Sequence, residues 1–425
     1  EICACLVGSE MCIRDSGSSE NTNYLLSFGY LDNPGTLKNT GLKNYSGRIN
    51  IETQITKFLK VGTQTYATFQ TREPGNTSFT YMYQNTPAVT PYHDGKYGVS
   101  VDGASTSNLL ADVMSRGGSY DDTRLNTTWY AKVNILDGLT AEARFNYQTL
   151  FNETATYSRK VDKQNFRTGE IIPGVSSSTA TTSRATTRYQ NHTNTATINY
   201  AKTFGKHDIS ILLGTEQYYW NVKGFSATRT GLLDLDLPDF TAALDLLDPT
   251  LGGTAEQDYG VISYFGRLIY SYKDKYLFTG TIRRDGSSAF GRTNRWGTFP
   301  SASVAWRLNE ESFIKNLNIF SNLKFRIGWG KTGSSYGDGS KSIAQISTSK
   351  MYYYWWNGVN YTEQMGAAKD KEIDTNLHWE TNEQTNLGID MGFMDNALNV
   401  TLDYFIRNSY DLLLDRNMRP STGFT

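Results

Sequence analysis

A hydrophobic period of two runs through long stretches of this chain and limits its possible folds more than any other feature. In residues 398–407, Leu398 and Leu402 fall on one side of an extended backbone, whereas Asn399 and Asp403 fall on the other. The same alternation recurs in three further stretches, 139–148, 323–330 and 385–393. Successive residues of a β-strand point to opposite faces of a sheet, so these stretches are predicted to be strands with one apolar and one polar face.

About thirteen strands are predicted from this alternation and from the turn residues between the runs. They lie near residues 22–31, 44–55, 59–70, 125–135, 139–150, 188–203, 208–222, 258–272, 276–286, 301–308, 323–333, 379–393 and 398–412. Many of them run for about 10 to 15 residues, whereas strands of soluble sheets are commonly about 5 or 6 residues long. Strands of this length can cross an apolar layer at a tilt.

The connections between these strands alternate between short and long. The short set comprises 56–58, 136–138, 204–207, 273–275, 394–397 and one longer member, 309–322, that is predicted to hold a short helix. The long set comprises 32–43, 71–124, 151–187, 223–257, 287–300 and 334–378. A soluble sandwich shows the same hydrophobic period, but short periplasmic turns alternating with long extracellular loops are typical of outer-membrane barrels. The predicted fold class is therefore all-β, an antiparallel transmembrane β-barrel.

Composition excludes several other classes of protein. The chain holds 41 basic and 42 acidic residues in a mixed pattern, so it has no bulk charge that would attract nucleic acid. No run of about 18 apolar residues is present, which excludes a membrane-spanning helix. Cys3, Cys5 and Cys12 are the only cysteines, and a disulfide framework is therefore excluded for the rest of the chain. Residues 1–16, which hold all three, are expected to be a non-native or disordered leader.

No catalytic or metal-binding constellation is found in the sequence, so neither an enzyme nor a cofactor is predicted. The four histidines, His93, His192, His207 and His378, lack a metal-ligand spacing. Four loop carboxylates could bind calcium through their oxygens, namely Asp234, Asp236, Asp239 and Asp338. Their spacing misses the EF-hand pattern, so they are interpreted as solvated side chains and no metal is expected.

A continuous aromatic run is the candidate contact site. Its members, Tyr352, Tyr353, Tyr354, Trp355 and Trp356, lie in the long loop 334–378 on the side predicted to be extracellular. Such rings could contact a sugar, a peptide or a lidding lipoprotein, or pack within their own loop. The polar residues on the inward side of the strands, Glu142, Arg144, Asp390, Asp403 and Arg407, are interpreted as hydrating the interior or pairing with a plug rather than gripping substrate.

Two blocks of sequence resemble one known family. Residues 263–315 (SYFGRLIYSYKDKYLFTGTIRRDGSSAFGRTNRWGTFPSASVAWRLNEESFIK) continue into LKFRIGWGKTGS at 323–334, and residues 377–414 read LHWETNEQTNLGIDMGFMDNALNVTLDYFIRNSYDLLL. These blocks are similar to barrel segments of the SusC/RagA family of TonB-dependent outer-membrane transporters. The resemblance implies active import of an oligosaccharide or a peptide across the outer membrane of a Gram-negative bacterium of the Bacteroidota. It also implies two protein partners, TonB and a SusD-like surface lipoprotein, besides the membrane lipid.

The resemblance covers only part of such a transporter. A plug domain, a TonB-contacting segment and closing C-terminal strands are not found in this sequence, and about thirteen strands is fewer than the roughly twenty-two of a plugged barrel. Residues 17–425 are therefore expected to be an internal fragment of the barrel domain. A siderophore-type receptor, a passive porin and a surface β-sandwich adhesin are the alternatives. An adhesin would fractionate without detergent, and a plug in the parent gene would exclude a porin.

Overall fold

The computed structural model describes the backbone of most of the chain. The described residues are 2–6, 9–36, 39–75, 90–99, 108–158, 161–172, 180–232, 239–244, 249–254, 256–335, 346–356, 361–369 and 376–414. Helices are short within this part: two α-helices, Leu109–Ser115 and Ser312–Lys315, and two 3-10 helices, Phe240–Ala242 and Leu308–Glu310. None of the described helices is long and apolar enough to cross a membrane.

Long strands make up most of the described structure. In chain order the strands are β1 (Ile2–Leu6), β2 (Ser9–Ser18), β3 (Thr22–Pro34), β4 (Thr40–Gln54), β5 (Leu59–Pro74), β6 (Tyr92–His93), β7 (Lys96–Gly98), β8 (Arg116–Leu136), β9 (Leu139–Ser158), β10 (Lys163–Gln164), β11 (Ile171–Ile172), β12 (Thr181–Phe204), β13 (His207–Thr230), β14 (Thr250–Gly252), β15 (Gln257–Tyr272), β16 (Tyr276–Ser287), β17 (Trp296–Arg307), β18 (Phe320–Ser334), β19 (Ile346–Trp356), β20 (Tyr361–Lys369), β21 (Glu380–Phe393) and β22 (Leu398–Tyr410).

One sheet of 16 strands holds all the long strands except the hairpin β19–β20. Its order is β1-β2-β3-β4-β5-β8-β9-β12-β13-β15-β16-β17-β18-β21-β22, with β14 beside β13, and the pairing is antiparallel throughout. Each long strand therefore lies beside its sequence neighbours, as in an up-and-down barrel wall. Among the described residues no pairing joins β22 back to β1, so the sheet is open.

All thirteen predicted strands are confirmed, but several are longer than predicted at the end that leads into a long loop. The run predicted at 188–203 begins at Thr181, and the run predicted at 208–222 ends at Thr230. These extensions are rich in serine and threonine and lack an apolar face. Beyond the membrane both faces of a strand meet water, so no hydrophobic period marks its end there.

The connections predicted to be short all lie at one rim of the sheet, because consecutive strands run in opposite directions. The connection predicted to be long at 32–43 spans only 35–39, between β3 and β4, and lies at the other rim. The connections at the first rim are 55–58, 137–138, 205–206, 273–275, 308–319 and 394–397. The longest of them, 308–319, holds the short helix that was predicted for it. We call this side the short-turn rim. The opposite side, where the long loops emerge, is the long-loop rim.

The described residues of the predicted leader 1–16 form strands rather than a disordered chain. Strand β2 pairs with β3 from Ser9↔Asp32 to Ser18↔Asn23, and β1 pairs with β2. Cys12 is a free, exposed cysteine. The alternative that this segment is not native to the protein stays a prediction.

The two faces of the sheet differ in chemistry. A row of directly opposed residues crosses seven strands on one face, and it reads Tyr404, Leu387, Ile327, Val304, Phe278, Tyr270 and Ile209. We call this apolar side the outer face. The row beside it on the inner face begins Asp403, Gly388 and Arg326. An apolar outside and a polar inside are the arrangement of a transmembrane barrel wall, which confirms the predicted fold class.

Candidate functional site

The apolar band on the outer face lies between two rows of aromatic rings. On β17, Trp296 and Trp306 both lie on this face, ten residues apart, and the outer-face residues between them include Pro300 and Val304. Ten residues at about 3.4 Å each and a tilt of about 40° give a height of roughly 26 Å. This matches the apolar band of outer-membrane barrels, which is about 25 Å tall.

Stacked rings form the row at the short-turn rim. The ring centroids of Tyr272 and Tyr276 lie 6.3 Å apart, and those of Tyr276 and Trp306 lie 6.0 Å apart. Glu311, in the connection 308–319, accepts hydrogen bonds from the Tyr276 hydroxyl at 2.8 Å and from the Trp306 indole nitrogen at 3.3 Å. These donors, together with the Lys275 ammonium, hold the pKa of Glu311 below its ordinary value. The carboxylate therefore stays charged and fastens this connection to the ring row.

An ion triad lies on the inner face of β18, β21 and β22, at the C-terminal edge of the sheet. Arg326 donates to both carboxylate oxygens of Asp390 at 2.9 Å, and its Nη2 also donates to Asp403 at 3.1 Å. Gly388 stands between Arg326 and Asp403 in the same cross-strand row, and a Cβ on it would lie 2.6 Å from the Asp403 carboxylate. The missing side chain lets the guanidinium lie flat along the wall and reach the second strand.

The same arrangement occurs at the other end of the sheet. Glu52, Gly62 and Tyr130 occupy one inner-face row, and the Tyr130 hydroxyl donates to Glu52 at 2.7 Å. A Cβ on Gly62 would lie 2.4 Å from the Tyr130 ring. Lys60 donates to the other oxygen of Glu52 at 2.9 Å. Here too, a glycine lets long polar side chains lie against the wall instead of projecting into the interior.

A third inner-face cluster centres on Arg283. Its guanidinium donates to Glu216 at 3.1 Å, to Asp285 at 2.8 Å and to the buried Ser263 hydroxyl at 2.8 Å. It also lies over the ring of Phe265, at 5.5 Å from the centroid. The Arg283 side chain therefore links β13, β15 and β16 through hydrogen bonds from its guanidinium group.

The inner-face residues singled out in the sequence lie on the wall as predicted. Arg144 donates to Glu142 at 2.9 Å, and Arg407 donates to Asn382 at 3.4 Å. Counting the Arg144–Glu142 pair with the three clusters gives four basic side chains against six acidic ones. Every basic side chain of these clusters thus lies beside a carboxylate of the wall.

Two of the long loops fold together at the long-loop rim. Strand β7 of the loop after β5 pairs in parallel with β10 of the loop after β9, which gives the small sheet β11-β10-β7-β6. Asn108, only 1% exposed, joins the β6–β7 hairpin of this unit to the helix Leu109–Ser115. Its amide donates to the carbonyls of Pro91 at 2.8 Å and Gly98 at 2.7 Å, and its side-chain oxygen accepts from the Ala111 backbone as a helix cap. We call this unit the two-loop cap.

Replacing Asn108 with alanine is expected to loosen the two-loop cap while leaving the wall intact. The change removes a helix cap, worth about 0.5–2 kcal/mol. It also removes the Asn108 donor from the Gly98 carbonyl, at about 1–3 kcal/mol, and leaves the Pro91 carbonyl only the Gly98 backbone N–H at 3.4 Å. Limited proteolysis of the complete protein should then cut within the two loops at lower protease concentration. An Asn165→Ala variant is no matched control, because Asn165 also bonds within the cap. Gln64→Ala, in β5 of the wall, should leave the cleavage pattern unchanged.

A small aromatic core at the same rim was missed in the sequence. Phe290, Phe299 and Trp379 are buried together, with ring centroids 5.3 Å and 5.4 Å from Trp379, and the Trp379 indole donates to the Arg295 carbonyl at 2.9 Å. Phe290 lies in the predicted loop 287–300 and Trp379 is the first residue of the predicted strand 379–393, so the apolar character of the two residues was the only available signal. The core fixes the loop after β16 against the entry to β21.

The predicted aromatic contact site lies in the hairpin β19–β20. Its register runs from Tyr352↔Met365 to Trp356↔Tyr361. In a strand, positions 352, 354 and 356 fall on one face and 353 and 355 on the other. The backbone of this hairpin is described, whereas the side chains of Tyr352, Tyr353, Tyr354, Trp355 and Trp356 lie outside the described part.

One of the acidic loop residues has a structural role. The Asp239 carboxylate accepts from the Thr241 backbone at 2.8 Å and from its hydroxyl at 2.7 Å, which caps the 3-10 helix. Asp234, Asp236 and Asp338 lie outside the described residues. Among the residues that the structure does describe, no group of three histidine, cysteine or acidic side chains could hold a metal ion.

Comparison with known families gives one match over most of the chain. The β-barrel model of the TonB-dependent receptor-like family matches residues 58–425. TonB-dependent receptor P3 of Formosa agariphila is 28% identical over 428 residues, which cover 96% of this chain and 40% of that protein. TonB-dependent receptor SusC of Bacteroides thetaiotaomicron is 34% identical over 228 residues, 53% of this chain and 22% of that protein. The chain spans about two fifths of the length of the Formosa relative.

Solved structures share the fold. The RagAB peptide transporter superposes with a TM-score of 0.76 at 23% identity, over 98% of this chain and 46% of its own. The ferric-catecholate import receptor Fiu of E. coli K12 superposes with a TM-score of 0.54 at 12% identity, over 95% of this chain and 57% of its own. These findings confirm the resemblance to the SusC/RagA transporters.

Proposed function

Since the chain belongs to the TonB-dependent receptor-like β-barrel family, whose barrels are outer-membrane proteins, we propose that it forms part of the wall of an active nutrient importer of the SusC type. The cargo is an oligosaccharide or a peptide, taken up at the cost of energy delivered through TonB. The relatives in Formosa and Bacteroides support an origin in the Bacteroidota.

The observation that carries this proposal is the contrast between the two faces of the sheet. The outer face presents an apolar band of membrane thickness, and the inner face presents paired charges and hydroxyls to the lumen. Glycines such as Gly62 and Gly388 let these polar side chains lie flat. A wall of this kind leaves space for a plug and for a hydrated cargo.

The rim suggests where a surface partner docks. The two-loop cap and the Phe290 core give the long-loop rim a folded surface instead of free loops. We assign the docking of a SusD-like lipoprotein to this side, where the hairpin β19–β20 also emerges. TonB acts from the opposite side of the membrane, the side of the short-turn rim.

Uptake in the native bacterium tests the proposal. Labelled oligosaccharides and peptides should enter through the complete transporter in a saturable way, and deletion of the tonB gene should abolish this uptake. Uptake that persists without TonB would identify a passive porin, and uptake restricted to ferric siderophores would identify a siderophore receptor. Release of the protein without detergent would identify a soluble adhesin.

Single substitutions in the hairpin test the aromatic contact site. Position 355 and position 356 lie on opposite faces of β19, so a partner that meets one face should depend on one of the two rings. Trp355→Ala and Trp356→Ala should therefore differ in substrate capture or in lipoprotein docking, while both insert normally because surface loops contribute little to the strand ladder. Binding equal to the unsubstituted protein in both variants would assign the rings to packing within the loop.

A further inference from the structure

The connection 308–319 at the short-turn rim exposes three large apolar side chains. Phe313 is 58% exposed, Leu317 is 52% exposed and Ile319 is 55% exposed. Exposed apolar groups that lie together mark a contact surface, because single ones are ordinary and clusters are not. The turn 55–58 carries two such side chains, Ile55 at 58% and Phe58 at 56% exposed, and the connection 308–319 carries three.

The local fold places two of these groups, Phe313 and Leu317, on one side. Backbone bonds from Asn316 to the Ser312 carbonyl at 3.1 Å and from Leu317 to the Ile314 carbonyl at 3.0 Å continue the helical turn. Residues four apart share a helix side, so Phe313 and Leu317 point the same way. Lys315 points elsewhere, since its ammonium donates to Glu310 at 2.7 Å.

Hydrogen bonds fix the connection against the lipid-facing side of the wall. Glu311 accepts from Tyr276 and Trp306, two rings of the outer face, and Lys275 adds an ionic contact at 3.3 Å. Because Glu311 immediately precedes the helical turn, Phe313 emerges beside the aromatic row that bounds the apolar band. The exposed group is thus continuous with the membrane-facing surface.

Exposed apolar residues beside the other short turns indicate the same position for the membrane boundary. The outer-face residues next to the short turns are apolar and exposed at four further positions, Ile55, Ile135, Phe204 and Leu398. If the water boundary lay above the short turns, these residues would contact water all round the rim. The apolar band therefore extends down to the turns themselves.

We propose that the connection 308–319 is a membrane-interface anchor, whose Phe313 and Leu317 insert among the phospholipids of the leaflet at the short-turn rim. Its charged groups are already paired within the connection or with Lys275, so the apolar side is free to enter the headgroup region. The adjoining surface is the lipid-facing band rather than a protein groove, and this favours lipid over a protein partner. The inference rests on the transmembrane fold and not on the identity of the cargo.

Site-directed fluorescence in proteoliposomes tests the anchor. In a version of the complete transporter whose own cysteines are replaced by serine, bimane is attached to Phe313→Cys, or to Lys315→Cys as the matched control two residues away. The vesicles contain phosphatidylethanolamine and phosphatidylglycerol with or without doxyl-labelled lipid, and iodide serves as the aqueous quencher. The doxyl lipid should quench the bimane at position 313 more strongly than iodide does. At position 315 iodide should be the stronger quencher.

Two further measurements keep the outcome decisive. Leu317→Cys replaces Phe313→Cys if the latter fails to insert, and it should show the same preference for the doxyl lipid. Adding Glu311→Gln, which removes the carboxylate charge facing Lys275, should lower the lipid quenching at 313. Iodide quenching at 313 equal to that at 315 would overturn the proposal, and protection from both quenchers would assign the surface to a protein partner instead.

Discussion

Replacing Leu268 with arginine is expected to destabilise the membrane-inserted barrel by about 2–4 kcal/mol, the cost of a basic side chain at the bilayer midplane. Leu268 lies on the outer face of β15, four residues from Tyr264 and four from Tyr272. Tyr264 stacks with Trp296 and Tyr272 with Tyr276, so the two tyrosines belong to the two aromatic rows that bound the apolar band. Leu268 therefore lies halfway between the two membrane surfaces.

The destabilisation caused by an arginine should depend both on the depth of the position in the membrane and on the face of the sheet on which it lies. Phe325 is directly opposite Trp306 of the aromatic row, so Phe325→Arg lies near the interface and should cost only about 0–1 kcal/mol. Gly280 lies directly opposite Leu268, and its neighbour Thr279 lies on the inner face at nearly the same depth. Thr279 therefore provides a control at matched depth. Thr279→Arg should cost little because that face meets the hydrated lumen.

Denaturant titration of the complete transporter in lipid vesicles measures these differences. The expected order of destabilisation is Leu268→Arg, then Phe325→Arg, with Thr279→Arg close to the unsubstituted protein. Equal costs for Leu268→Arg and Thr279→Arg would mean that the two faces meet the same solvent. A soluble sandwich would give that result.

Expressed by itself, a polypeptide of these 425 residues is expected to aggregate or to fail to insert as a monomer. Within the described part of the chain, β22 has no pairing partner on one side along Leu398–Tyr410. An unpaired amide in the hydrocarbon region costs several kcal/mol, so an open edge is not tolerated in lipid. In water the same edge is a template for pairing with further chains.

Heat-modifiability on gels and size-exclusion chromatography in detergent measure this outcome. The complete transporter should migrate as a compact, heat-modifiable monomer, whereas the 425-residue polypeptide should give aggregates that lack this property. A monodisperse, protease-resistant monomer that needs no detergent would argue against both the transmembrane fold and the fragment interpretation.

The sequence predicts the wall well because each wall strand separates lipid from water. The alternation of Leu398, Leu402 and Ile406 with Asn399 and Asp403 follows directly from that separation. The signal disappears beyond the membrane, which is why the strand ends at Thr181 and Thr230 were not found. Strand pairing order follows from the short turns, since they join neighbouring antiparallel strands.

The contacts between loops at the long-loop rim could not be predicted from the hydrophobic period. The parallel pairing of β7 with β10 joins loops that are far apart in sequence, and no local pattern encodes such a contact. Asn108 reads as an ordinary loop polar residue until its three hydrogen-bond partners are brought together. Gly62 and Gly388 likewise read as neutral strand positions, and only the cross-strand register shows which side chains pass over them.

Nitroxide scanning along β17 in the complete transporter tests the central claim, a two-faced membrane wall, most directly. Single cysteines at positions 298 to 305 are spin-labelled in lipid vesicles, and the accessibility of each label to oxygen and to a water-soluble nickel complex is measured. We expect a period of two, with oxygen favoured at Pro300, Ala302 and Val304 and the nickel complex favoured at Ser301 and Ser303. Accessibility to the nickel complex at every position, without this period, would contradict a lipid-facing outer surface.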